Sequence, residues 1–137
     1  MKYNHFLLEK KEYVHLKKVM NFSHHLIQDS YGCALRVLDA KLHSARIWDA
    51  QHMPNDVVRL HSNVLLALGS KELNTTLILN SNVSEDSQET SVLTALGAAI
   101  LGCAAGDTVQ YFKDGNYFDL YIKCVEQQDT FIDSFML

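Results

Sequence analysis

The single proline of this chain, Pro54, stands where the spacing of apolar residues changes, and that change confines the chain to a helical segment followed by a sheet-forming one. Before it, Tyr13, Leu16, Met20 and Ile27, supported by Val19 and Leu26, recur at helical steps between lysines and glutamates. That pattern predicts an amphipathic helix from about Phe6 to Ile27. Asp29, Ser30, Tyr31 and Gly32 interrupt it, and Leu35, Leu38, Leu42 and Ala45 then resume it, which predicts a second helix from about Cys33 to Arg46. Two amphipathic helices joined by so short a loop cover their apolar stripes by folding back on each other. The expectation is an antiparallel helical hairpin over residues 1–47, a short coiled coil with Asp29, Ser30 and Tyr31 at its tip. The shorter helix limits the paired length to about 21 Å.

Residues 48–56 read as a linker, and 57–137 as a sheet domain. Val58 and Leu60, then Val64, Leu66 and Leu68, then Leu77 and Leu79 alternate with more polar residues and predict three strands. Val109 and Tyr111 lead into Lys113-Asp114-Gly115-Asn116, and Phe118, Leu120, Ile122 and Cys124 alternate beyond it. An Asp-Gly pair between two alternating runs is a hairpin signal. Thr94 is placed to cap a short apolar helix from Ala95 to Leu101, with Gly102 ending it and Gly106-Asp107 turning the chain. Asn80 to Thr90 is polar and acidic and reads as a surface loop. One helix on one face of an antiparallel sheet makes the fold class α+β.

Composition narrows the function. With 137 residues, 47% of them hydrophobic, the chain supports one compact domain and an appendage. No apolar run approaches the ~20 residues of a membrane span, and the N-terminus lacks the pattern of a signal peptide, so no membrane partner is expected and the location should be cytoplasmic. Cys33, Cys103 and Cys124 lie outside any C-x-x-C pattern and read as free thiols. The formal net charge is −4, and no long run of lysine and arginine suggests autonomous binding to nucleic acid. His5, His15, His24, His25, His43, His52 and His61 form neither H-x-x-x-H nor H-E-x-x-H, so no metal and no cofactor is expected. Gly97, Gly102 and Gly106 match no phosphate-binding spacing and read as packing and turn positions. Trp48, with Ile47, either plugs the hairpin onto the sheet domain, the preferred reading, or stands exposed as a partner anchor. Tyr111, Phe112, Tyr117, Phe118 and Tyr121 read as core and strand packing rather than as a ligand pocket.

The run from Ser91 to Asp107, Ser-Val-Leu-Thr-Ala-Leu-Gly-Ala-Ala-Ile-Leu-Gly-Cys-Ala-Ala-Gly-Asp, resembles the signature of the GreA/GreB C-terminal domain family. Ala45-Arg46, Met53 to Val58 and Ser62-Asn63-Val64 resemble the junction and first strands of the Rnk regulators of nucleoside diphosphate kinase, Gre-related proteins of similar length. The likeness covers about Ala45 to Glu126. It implies an FKBP-like C-terminal domain that binds RNA polymerase at the rim of its secondary channel, preceded by a coiled-coil hairpin. Ser91, Thr94, Ala95, Leu96 and Ala98 correspond to the docking stretch. Where the family usually has proline at the start of the helix, this chain has Ala95.

In Gre factors a longer hairpin carries paired acids that help hold a catalytic magnesium and so stimulate cleavage of backtracked RNA. A site of that kind needs two closely placed oxygen donors. Here Asp29 is the only acid between Gln28 and Gly32, and it also reads as a helix cap. The resemblance therefore implies a bacterial regulator of transcription elongation without catalytic residues, which competes with Gre factors without stimulating cleavage. It implies contact with nucleic acid only through the polymerase complex, and a monomer rather than an obligate oligomer. The alternative is a non-enzymatic protein-interaction or dimerisation module using the helical hairpin. A cleavage factor acting through Asp29 ranks third.

Overall fold

The computed structural model describes residues 2–23, 32–79, 88–113 and 115–127. In chain order the elements are β1 (Leu7–Glu9), α1 (Lys10–Ser23), α2 (Gly32–Ser44), β2 (Arg46–Trp48), a single 3-10 turn at Ala50–His52, β3 (Asn63–Leu68), β4 (Lys71–Ile78), β5 (Glu89–Ser91), α3 (Ala95–Ile100), β6 (Thr108–Lys113) and β7 (Asn116–Glu126). The fold is α+β. The expected hairpin tip at Asp29, Ser30 and Tyr31, most of the acidic loop (80–87), Asp114 and the C-terminal residues 128–137 lie outside the described residues.

The main sheet has the order β5-β4-β3-β7-β6. β3 pairs antiparallel with β4 across Gly69-Ser70 and with β7, and β6 pairs antiparallel with β7. The expectation of a wholly antiparallel sheet is corrected at one edge. β5 runs parallel to β4, with Thr76 opposite Glu89 and Ile78 opposite Ser91, so the sheet is mixed. The end of the polar segment read as loop is therefore a strand. Val58 and Leu60 form no strand either. Val57 makes an isolated bridge to Ala104, and the Val58 N–H donates to the Cys103 carbonyl at 2.8 Å. These hydrogen bonds satisfy its backbone without a ladder, and Leu60 already lies in a turn closed by the Ser62 N–H donating to the Arg59 carbonyl at 3.0 Å.

Both helix boundaries on the N-terminal side also move inward. Leu7–Glu9 leave the first helical pattern and Arg46 the second, and β1 pairs in parallel with β2 as a two-stranded sheet, Leu8 opposite Ile47. Leu7 and Leu8 are buried in that pairing, and the Leu7 N–H donates to the Gly102 carbonyl at 3.1 Å. Apolar residues at adjacent positions fit either a helix face or a short strand, so local spacing alone leaves this choice open.

Alternation along the strands directs Val64 and Leu66 of β3, Leu77 of β4, and Leu120 and Ile122 of β7 into one cluster, all fully buried. α3 contributes Ala98 and Ile100 to it, followed by Leu101. Leu16 of α1, Leu38 and Leu42 of α2, and Leu8 of β1 belong to the same cluster. Burying a leucine side chain stabilises by roughly 2 kcal/mol, so these contacts fasten the first two helices to the sheet.

Candidate functional site

The stretch singled out by sequence, Ser91 to Ala98, folds as a strand end, a tight turn and the first turn of α3. Thr94 is the N-cap, in extended conformation with φ −98° and ψ 163°, and its hydroxyl oxygen accepts from the Gly97 N–H at 3.2 Å. The same hydroxyl donates to the Ser91 carbonyl at 2.7 Å, while the Ser91 hydroxyl oxygen accepts from the Leu93 N–H at 3.0 Å. The turn is thus held by side chains at both ends, as serine and threonine before a helix favour.

Gly97 explains why the run must contain small residues. A Cβ at this position would lie 2.0 Å from the Ser91 carbonyl oxygen and 2.7 Å from its carbon. No rotamer change relieves a clash with backbone, so only glycine lets α3 settle against β5.

Of the five residues, Ser91 and Ala98 are buried, at 2% and 0% exposure, and their side chains serve packing and turn geometry. Thr94, Ala95 and Leu96 are half-buried and remain at the surface. Sequence spacing brought all five into one short segment, and folding leaves three of them reachable by a partner.

Beneath α3 is a residue that the sequence reading missed. Lys41 of α2 is buried, and its ammonium donates to the carbonyls of Ala99 at 2.7 Å and Leu101 at 2.6 Å. It also lies 4.6 Å from the centre of the Phe6 ring and 3.9 Å from the Cys103 sulfur. Carbonyls at a helix C-terminus carry partial negative charge and favour a cation. Burial nevertheless lowers the lysine pKa from 10.5 to about 8, with Cys103 opposing the shift. Burial likewise pushes the Cys103 thiol up, and its S–H donates to the Ala99 carbonyl at 3.4 Å. The available signal was the position of Lys41 inside the apolar stripe, between Leu38 and Leu42.

A second missed cluster joins α1 to the loop before β3. The buried Glu9 carboxylate accepts from the Glu12 N–H at 3.1 Å and so caps α1. Glu12 accepts from Arg59 Nε at 3.3 Å and from the Leu60 N–H at 3.2 Å, and Arg59 also lies 3.9 Å from Glu9. Burial raises the Glu12 pKa from 4.5 to about 7, opposed first by the Arg59 charge.

The expected plug at Trp48 is at most partial: Trp48 and Ile47 are each 38% exposed, and neither is part of the buried core. Tyr111 and Phe118 pack together with ring centres 5.6 Å apart, but Phe118, like Tyr117 and Tyr121, stands exposed. Among the described residues, no group of three or more His, Cys, Asp or Glu side chains is placed to hold a metal ion. No described helix is long and apolar enough to cross a membrane.

A protein with this order of elements has a solved counterpart. The transcription elongation factor GreA/GreB from Nitrosomonas europaea superposes with a TM-score of 0.72 over 88% of this chain and 98% of that one, at 23% identity. The chain has a GreA/GreB-like fold. At that identity the likeness concerns the fold alone. Among curated proteins, the regulator of nucleoside diphosphate kinase of Escherichia coli K12 and its namesake in Shigella flexneri are each 32% identical over 80 residues. Each match covers 57% of this chain and 59% of the relative, so the chain spans about three fifths of the curated relatives' length. No family model matches. The resemblance read from Ser91–Asp107 and from the segments around Pro54 thus points to the same two groups of proteins as these comparisons.

Proposed function

We propose that this protein is a non-enzymatic regulator of bacterial transcription elongation that binds RNA polymerase near its secondary channel. The observation that carries the reading is the braced turn into α3, which holds Thr94, Ala95 and Leu96 at the surface within the stretch that resembles the Gre docking segment. The likeness to a GreA/GreB factor and to regulators of nucleoside diphosphate kinase supports it.

In this reading residues 57–137 form the docking module, FKBP-like in kind, 48–56 the connection, and 1–47 a helical hairpin that projects toward the channel. Leu8, Leu16, Leu38 and Leu42, in the cluster shared with the sheet, fix the arm to the module. Asp29 is the single carboxylate of the tip loop, too few for shared metal coordination. The protein therefore acts as a cytoplasmic monomer, without a cofactor, that occupies the Gre site and excludes Gre factors without stimulating transcript cleavage.

The test is binding of the purified protein to the core RNA polymerase of its own organism, in competition with a Gre factor. Saturable binding that displaces the Gre factor and is lost in Leu96→Asp, with the circular dichroism spectrum retained, is the expected result. Absence of binding at tens of micromolar would remove the polymerase role.

A further inference from the structure

α1 separates its charges by sign. Its only acid, Glu12, has a side chain 14% exposed and engaged by Arg59, and Glu9 just before the helix is buried. Lys10, Lys11, His15, Lys17 and Lys18 are all exposed, around a Val14 that is 44% exposed. At 100° per residue these positions span a single arc, opposite the one holding Leu16, Val19 and Met20. A chain of formal net charge −4 thus presents one helix face whose only ionisable side chains are basic.

The face borders a groove of ≈ 580 Å³, lined on one side by the buried Glu9 with Lys10, Lys11, Val14 and His15, and on the other by Asp49. An adjoining hollow of ≈ 370 Å³ shares Asp49 and is lined by Ile47 and Trp48. Both of those side chains are exposed, and Asp49, the acid of the far wall, lies 3.9 Å from His52. Apolar side chains between charged flanks are the anatomy of a protein interface.

We propose that this face is a docking surface for an acidic α-helix of a partner protein, whose carboxylates recur every seven residues on either side of an apolar position. Lys10 and Lys17, and likewise Lys11 and Lys18, are seven residues apart, which separates each pair by about 10.5 Å along the helix axis. A facing helix repeats its side chains at that same interval. Val14, midway between the pairs, meets the apolar position of the partner, and Trp48 and Ile47 receive its next apolar side chain. A nucleic-acid strand also supplies negative charge, and its bases can stack on Trp48, but its phosphates recur at short uniform intervals, about 3.4 Å of axis per strand in a duplex, rather than at the seven-residue interval that frames Val14. Because the lysines are exposed, they steer association and fix register, and binding weakens with salt. The surface involves none of the residues exposed at the start of α3, so it stands independently of polymerase docking there.

The experiment uses the full chain and a fluorescent synthetic helical peptide with glutamate pairs at seven-residue spacing flanking leucine. A peptide of the same composition in scrambled order and a single-stranded RNA serve as competitors. Fluorescence anisotropy should show the ordered peptide binding about tenfold or more tighter than the scrambled one. A Lys10→Glu, Lys17→Glu double variant and, separately, Val14→Glu should each weaken that binding by about tenfold, while Leu96→Asp leaves it unchanged. All three substituted α1 positions are exposed, and thermal melting checks that the fold survives. Equal binding of the two peptides, unchanged affinity in both α1 variants, or displacement by RNA at lower concentrations than by unlabelled peptide overturns the proposal.

Discussion

α1 and α3 distribute polar and apolar residues in opposite ways. α3 is small and apolar, and its recognisable motif is consumed by packing. Gly97 and Ala98 are buried, Ser91 turns inward, and Thr94 divides its hydroxyl between a cap and a turn. α1 carries no recognisable motif, yet it leaves a continuous cationic face outside while its one acid, Glu12, and Glu9 before it are drawn in to Arg59. A motif legible in sequence is thus chiefly a record of close packing. A surface able to meet a partner can be built from residues that look like ordinary solubilising charge.

The strongest way to break this comparison is at Gly97. Gly97→Ala drives a methyl group into the Ser91 backbone, and destabilisation by about 3 kcal/mol or more, with a melting temperature lower by roughly 10 °C, is expected in thermal and urea unfolding. Retained stability would mean that α3 does not press on β5 as described. Substituting the exposed Lys18 by alanine should stay within about 0.5 kcal/mol of the parent.

Next in size are the two buried charges, which sharpen the comparison through pH. Lys41 has a folded pKa of about 8 against 10.5 unfolded. Between those values the unfolded chain binds more protons, so stability from this group rises with pH through that window. Glu12 has a folded pKa of about 7 against 4.5 unfolded, so the native state binds more protons between them. Its contribution is complete below pH 4.5 and is lost as pH rises through 7. Together these groups produce a minimum in stability between about pH 7 and 8. Urea unfolding from pH 5 to 10 should show the falling limb flattened in Glu12→Gln and the rising limb flattened in Lys41→Met.

The smaller effects lie at the start of α3. Thr94→Ala removes the cap and should cost about 1 kcal/mol in urea unfolding. Ala95→Pro is expected to be neutral or to stabilise by up to about 1 kcal/mol. Ala95 is the first residue of α3, where the N–H has no intrahelical acceptor, and the extended Thr94 before it suits a following proline. If the docking proposal holds, this substitution also preserves or strengthens polymerase binding. Destabilisation by more than 1 kcal/mol would show that the Ala95 N–H is needed.

Much of the second half was legible because its signals are local. The Thr94 cap, the stop at Gly102 with φ 81°, and the hairpin register with Lys113 opposite Asn116 all follow from residues within a few positions of one another. The short parallel pairings were not legible. β1 finds β2 across the whole helical segment, and β5 finds β4 across the acidic loop, so neither leaves a turn signature. Of the five residues expected to dock, Ser91 and Ala98 point inward, which strand and helix alternation could not tell.

By itself the sequence determined the change from helical to strand period at Pro54, the α+β class, the small-residue helix and the likeness to Gre-type proteins. Those properties rest on spacings of two to four residues, which backbone geometry converts directly into a buried face. Only the tertiary structure decided which charges face water. Lys41 is buried because carbonyls 58 and 60 residues away receive it, and Glu12 because Arg59, 47 residues away, meets it. A charge leaves water only where partners converge on it, and partners so distant along the chain leave no local pattern.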